Sequence, residues 1–136
     1  MPELLAEIAL PWPNKVLSPN SKTNYWGVKQ SAKSEAREYA AFVAQEEFCD
    51  GKVSERLSIT KELHAWIVFN PPNKIRRDLD NLLASIKPDI DGMCLGLKID
   101  DSQIKRITLD WGKVDIQHKE GGIIIRLYGY NEASHE

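Results

Sequence analysis

The chain has 136 residues, a length that suits one domain with a core needing no disulfide or metal staple. Its 42% apolar and 28% charged residues are those of an ordinary globular protein, which argues against wholesale disorder. A formal charge of −2 and a pI near 5.9 argue against a polybasic nucleic-acid binder but leave room for a local basic patch.

Leu4, Ala6, Ile8 and Leu10 alternate with Leu5, Glu7 and Ala9. That is the pattern of a strand, and Pro11-Trp12-Pro13 ends it. The segment is too short, and lacks the basic start, for a secretory leader. No run approaches the ~20 apolar residues of a membrane span, so a cytoplasmic protein is expected. Residues 14 to 30 read as a polar loop with Pro19, Asn20, Asn24 and Gly27. A loop of that length in a compact domain is more often functional than idle.

Residues 31 to 48 are rich in Ala, Glu and Arg, and Ala36, Tyr39, Ala40, Val43 and Phe48 recur near helical spacing. An amphipathic helix is expected there, ended by Asp50-Gly51. Residues 58 to 69 alternate again. Ile59, Leu63, Ala65, Ile67 and Phe69 share one face of a long strand that stops at Pro71-Pro72. Residues 81 to 93 place Leu82, Ile86, Ile90 and Met93 on one helical stripe, with a kink or restart expected at Pro88. Residues 104 to 111 and 122 to 130 read as two strands, and Gly112 with Gly121-Gly122 suggest a hairpin between them. The expected fold is a single α+β domain in the order β-α-β-α-β-β, a mixed sheet with two main helices. Residues 131–136 read as a loose tail. Cys49 and Cys94 lack metal-ligand spacing and read as buried free thiols. His64, His118 and His135 form no cluster in the sequence.

The densest charge lies in RRDLDN, residues 76 to 81. In extended chain Asp78 and Asp80 point the same way, and a divalent cation would relieve their repulsion. Mg²⁺ takes one or two carboxylates together with water and phosphate oxygens. A second pair, Asp100-Asp101, follows one helix later, and a helix folded back over a sheet would bring Asp101 beside the first two. The plainer alternatives are that Asp80 caps a helix starting at Asn81, and that Asp100-Asp101 forms a turn with Ser102. Lys87 stands seven positions after Asp80, close to the same face of an unbroken helix. It suits charge stabilisation at a phosphate, or a surface pair with Asp91 worth only ~0.3–0.5 kcal/mol.

RRDLDN, the lysine-bearing helix and the aspartate pair in KIDDSQI together resemble the RusA family of Holliday-junction resolvases. The opening LPWP, followed by a loop containing SPN, is similar to that family's start, and the resemblance runs from about residue 8 to 127. It implies a homodimeric, Mg²⁺-dependent endonuclease, with Mn²⁺ able to substitute, that resolves four-way DNA junctions by paired symmetric nicks. Such proteins are often encoded by phages and prophages. The family's metal-binding aspartates fall on Asp78, Asp80 and Asp101. Its catalytic lysine falls on Ala84 and is absent; Lys87 stands three residues later. Asp100 and Asn81 are placed to orient the ligands from behind.

Phosphate contacts are expected from Lys74, Arg76 and Arg77 beside the site, and from Lys22, Lys29, Lys33 and Arg37 in the loop and first helix; Asn20 and Asn24 either contact DNA phosphate or bases or shape turns. Tyr25 and Trp26 either stack on unpaired bases or pin the loop to the core. Two other readings compete. One is a non-catalytic nucleic-acid-binding module with a degenerate site, favoured by the missing lysine. The other is a Mg²⁺-dependent phosphotransfer enzyme or phosphatase built on D-x-D.

Overall fold

The computed structural model describes residues 2–22, 25–47 and 51–130, with only the backbone of 51–54. Asn24, Phe48, Cys49, Asp50, His135 and the rest of 131–136 lie outside the described residues. The chain forms a four-stranded mixed sheet with helices packed on one face, a single α+β domain. Among the described residues no helix is long and apolar enough to cross a membrane.

In chain order the elements are β1 (Pro2–Leu10), a 3-10 turn (Lys15–Leu17), α1 (Trp26–Glu47), α2 (Gly51–Ile59), β2 (Leu63–Asn70), α3 (Leu79–Ser85), α4 (Lys87–Leu97), a second 3-10 turn (Asp101–Gln103), β3 (Ile104–Trp111) and β4 (Gly122–Tyr130). The sheet order is β1-β4-β2-β3. β4 runs antiparallel to both β1 and β2, and β2 runs parallel to β3. Alternate residues of β1, β2 and β4 supply the core: Ile8 and Leu10, Leu63, Ile67 and Phe69, and Ile123, Ile125 and Leu127.

Three expectations are corrected. The hairpin between β3 and β4 does not form, because β2 lies between them. A parallel β2–β3 pair needs a crossover, which α3 and α4 provide. The segment from Gly112 to Gly121 instead straps across the end of β2. The Gly112 N–H donates to the Phe69 carbonyl at 2.8 Å, and the Asp115 N–H to the Pro71 carbonyl at 2.7 Å. The Asp115 carboxylate accepts from the N–H groups of His118, Glu120 and Gly121, which holds its pKa below the usual carboxylate range.

The second correction is α2, where a strand was expected from residue 58. Ile59 ends this helix and is 72% exposed instead of joining the inward face of β2. Leu57 anchors the helix in the core, and the Gln103 side-chain amide donates to the Leu57 and Thr60 carbonyls at its end. The third concerns α1, which starts five residues early, inside the expected loop. Tyr25 and Trp26 are 77% and 75% exposed, so neither pins this region to the core.

The buried side of α1 is Ala32, Ala40 and Ala44, where Tyr39 had also been expected; Tyr39 is half exposed. These small residues meet Gly92 and Gly96 on α4. A Cβ at Gly92 would run into the Arg37 carbonyl, and one at Gly96 would sit 2.7 Å from the Ala44 Cβ. Backbone lies against backbone, so neither side can yield. Gly92→Ala should therefore destabilise the protein by roughly 2–3 kcal/mol, despite the better helix propensity of alanine. Urea unfolding measures this; an unchanged or raised midpoint would show that the helices do not approach as described.

Candidate metal and nucleic-acid site

The site begins where β2 runs into Pro71-Pro72 and the chain turns outward. The Asn73 side chain accepts the Ile75 N–H at 3.1 Å, closing a tight turn. Arg77 then folds back over this turn. Its guanidinium donates to the Asn73 and Ile75 carbonyls and to Asn73 Oδ1, at 3.2, 2.9 and 2.7 Å, and lies 5.1 Å over the Trp12 ring. Arg77 therefore shapes its own loop. Arg76, beside it, is exposed and enters no described ion pair or hydrogen bond, so its charge faces solvent.

α3 starts at Leu79, earlier than expected, and Asp78 takes the N-cap position that had been considered for Asp80. Asp78 is extended (φ −98°, ψ 134°) and makes no side-chain cap hydrogen bond, so its carboxylate is left available. Asp80 lies in the first helical turn and is exposed. The chain is already helical past Asp78, so the same-side rule for extended residues does not hold for this pair.

The helix breaks once, at Ile86 (φ −100°, ψ 7°), two residues before Pro88. Hydrogen bonding continues through the break, from the Ile86 N–H to Leu82 and from the Ile90 N–H to Ile86. Lys87 lines a groove whose lining does not include Asp80.

At the far end of α4, Lys98 adopts the left-handed C-cap conformation (φ 57°) and the chain enters the acidic pair. Asp100 caps the turn at Asp101–Gln103. Its carboxylate accepts the Ser102 N–H at 2.9 Å, while the Gln103 side chain accepts the Asp100 N–H at 2.7 Å. Hydrogen bonds from Ser102, then one with Asp101, hold its pKa below the usual carboxylate range. Asp100 thus has the turn role.

Three shallow grooves gather most of the expected residues. The first, about 280 Å³, is lined by Asp78, Asn81, Arg76 and Arg77 together with Lys15 and Asn20. The second, about 370 Å³, holds Asp100, Asp101, Asp91, Cys94 and Arg37. The third, about 220 Å³, shares Arg37 and Asp91 with the second and adds Lys33, Lys87 and Ala84. Lys87 and Ala84 line the same groove, so a side chain from position 87 enters the space that one from position 84 would enter. Lys22 and Lys74 are exposed, and Lys29 is half-buried on α1. His64 is tied into the sheet, with Nε2 at 2.7 Å from the Thr108 hydroxyl.

The carboxylates are hard oxygen donors of the type Mg²⁺ accepts. One chain does not gather them. Asp78 and Asp101 line different grooves, and the helical path from Leu79 to Leu97 between them rises roughly 28 Å. Among the described residues no group of three or more His, Cys, Asp or Glu side chains is placed to hold a metal ion.

Sequence reasoning missed Asp89. After Lys87-Pro88 it looks like an ordinary acidic residue in a first helical turn. It is instead 4% exposed, with Oδ2 lacking a hydrogen-bond partner. Burial pushes its pKa up to about 7, against a lowering hydrogen bond from its own backbone.

These features define a one-domain α+β protein with exposed carboxylates at both ends of a broken helix and basic residues along the grooves between. No family model matches the chain. It belongs to the same family as an uncharacterized protein of Xylella fastidiosa (strain Temecula1 / ATCC 700964), 38% identical over 128 residues that cover 94% of this chain and 79% of the relative.

Asp89 makes stability depend on pH. Its pKa is raised on folding, so it imposes no penalty below about pH 4, and stability is lost as the pH rises towards 7. The full penalty is on the order of 4 kcal/mol as an upper bound. Asp89→Asn should therefore be more stable than the wild type at pH 8, by roughly 1–4 kcal/mol, and nearly equal to it at pH 4. Urea unfolding at the two pH values measures this; a difference independent of pH would contradict it.

Proposed function

We propose that this chain is a Mg²⁺-dependent endonuclease that acts as a homodimer and resolves four-way DNA junctions by paired symmetric phosphodiester cleavage. The observation that carries this reading is the first groove, where the uncapped carboxylate of Asp78 stands with Arg76, Lys15 and Asn20. A carboxylate able to take a metal, set among groups able to take phosphate, suits metal-assisted phosphodiester hydrolysis. The resemblance of RRDLDN and KIDDSQI to the RusA family supports the same reading, and it implies a cytoplasmic, phage- or prophage-encoded setting.

The separation of Asp78 and Asp80 from Asp101 gives the homodimer a chemical purpose. A two-fold pairing of copies, with the two broken helices antiparallel, would set the start of α3 from one copy beside the Asp100–Asp101 turn of the other. Asp78, Asp80 and Asp101 would then be the oxygen ligands, with Asp100 and Asn81 fixing their orientation. Mg²⁺, or Mn²⁺ in its place, supplies charge neutralisation and an activated water when bound. Arg76, Lys15 and Asn20 hold the backbone of one DNA arm, with Lys22, Lys29 and Lys74 extending the contact. Lys33 and Arg37 hold the phosphate next to the Asp101 groove, and Lys87 stabilises the charge that develops there, compensating for the missing side chain at Ala84.

The rival reading is a non-catalytic module that binds branched DNA. It is favoured by Ala84 and by the absence of a complete carboxylate group in one chain, among the described residues. A cleavage assay on a synthetic four-way junction separates the two. The nuclease should nick symmetrically with Mg²⁺ and not with EDTA, and Asp80→Asn should lose at least roughly 10²-fold in rate. Lys87→Ala should keep junction affinity and lose roughly 10²-fold in cleavage. Junction binding without nicking by the wild type in Mg²⁺ or Mn²⁺ would leave the non-catalytic module as the function.

A further inference from the structure

β3 is an edge strand, with β2 on one side and, among the described residues, no strand on the other. Its register with β2 shifts once, between Leu63 and His64, and is regular from Arg106 to Trp111. The Gly112 N–H donates to the Phe69 carbonyl, so the even-numbered positions of β3 aim their backbone groups at β2. The N–H and carbonyl groups of Ile107, Leu109 and Trp111 therefore point away from the sheet, a template for a further strand. The side chains of Ile107 and Trp111 lie on the helix-bearing face, beside Ala65 and Phe69, yet they are 46% and 44% exposed. No proline or glycine interrupts Ile104–Trp111. The opposite edge is less suited. β1 is bulged between Leu4 and Ala6, and its charged residues, Glu3 and Glu7, already pair with Arg56 and Arg126.

The sequence of β3 itself selects the partner. Two copies of one strand related by a two-fold axis pair antiparallel, and each residue then faces one on the same side of the sheet. With the axis at Thr108, Arg106 of each copy stands opposite the partner's Asp110. These are non-hydrogen-bonded pairs, in which side chains come closest. Ile107 stands opposite the partner's Leu109 and exchanges the outward N–H and carbonyl groups with it. A shift of two residues either way sets Arg106 against Thr108 or Gly112, and the charge match is lost. Charges on an edge strand usually guard against pairing; here the two signs sit where a second copy matches them. Neither Arg106 nor Asp110 enters an ion pair among the described residues.

We infer that two copies of this chain join edge to edge through β3, antiparallel and centred on Thr108, into one continuous sheet. The inference deepens the homodimer of the cleavage reading and rests on that reading for its purpose. β3 begins after the Asp101–Gln103 turn and ends beside Phe69, where β2 leads on towards Asp78. Antiparallel pairing carries the partner's Asp101 to that same end, as a shared carboxylate site requires.

Sedimentation velocity of the full chain, in EDTA and without DNA, tests the inference apart from any cleavage. The wild type should be a dimer at about 100 µM, a concentration that detects even a weak interface. Arg106→Asp and Asp110→Arg each set like charges opposite one another twice in a dimer, and each should weaken dimerisation by roughly 10-fold or more. Mixed in equal amounts, the two variants should regain it, because in the mixed pair every aspartate meets an arginine. A loss caused by misfolding would not return on mixing. A monomeric wild type at that concentration, variants that dimerise as the wild type does, or a loss that mixing does not repair overturns the inference. Dimers that ignore both substitutions leave the cleavage reading standing on another interface. Dimers that obey the charge exchange but nick no junction in Mg²⁺ sink the cleavage reading and uphold the β3 interface.

Discussion

The contact on which the rest of the molecule depends is the close approach of α1 and α4. Gly92 and Gly96 have no side chains to hold the helices apart, and Ala40 and Ala44 have almost none. Each consequence is geometric. The approach brings Lys33 and Arg37 of α1 to the groove that contains Lys87 and Asp91 of α4. It also sets Glu35 and Glu38 around a cavity that Asp89 lines. A wider helix spacing would dissolve both arrangements and would open the core above the sheet, where Ile86, Met93 and Leu97 pack.

The broken helix is the second organising element. Its crossover makes β2 and β3 parallel neighbours, and it also separates the two acidic segments. The same element that completes the sheet keeps one chain from completing a carboxylate site. Pairing of two copies would resolve that tension, and with one site on each side of a two-fold axis it would match the two strands cut in a symmetric junction.

Much of this fold was legible in the sequence where a period and a stop signal coincide. β1, β3 and β4 run close to their expected bounds because alternation ends at proline or glycine. The inward residues of β2 from Leu63 to Phe69 were legible for the same reason. The hairpin failed because glycines mark where a chain turns and not which strand it turns towards. α2 failed because its support is non-local: Leu57 needs the assembled core, and its last carbonyls need Gln103, distant in sequence. The candidate site was legible in residue type, through Asp78, Asp80, Asp101 and the arginines. Its geometry was not, because Asp78 and Asp101 stand at the two ends of a helix that breaks at Ile86 and line different grooves. Arg77 read as a phosphate contact from its position, yet its donors close its own turn. Asp89 was illegible altogether, since nothing local distinguishes a buried acid at a helix start from an exposed one.

The central claim is that the carboxylates of one working site come from two chains, and mixing two inactive proteins tests it most directly. Asp80→Asn and Asp101→Asn each spoil every site in their own dimers. In a mixed dimer with shared sites, both substitutions fall in one site and the other is intact. After subunit exchange of equal amounts, about a quarter of wild-type single-strand nicking should return. If all three aspartates of a site belong to one chain, every site in the mixture carries a substitution, and no nicking above that of the separate variants would appear.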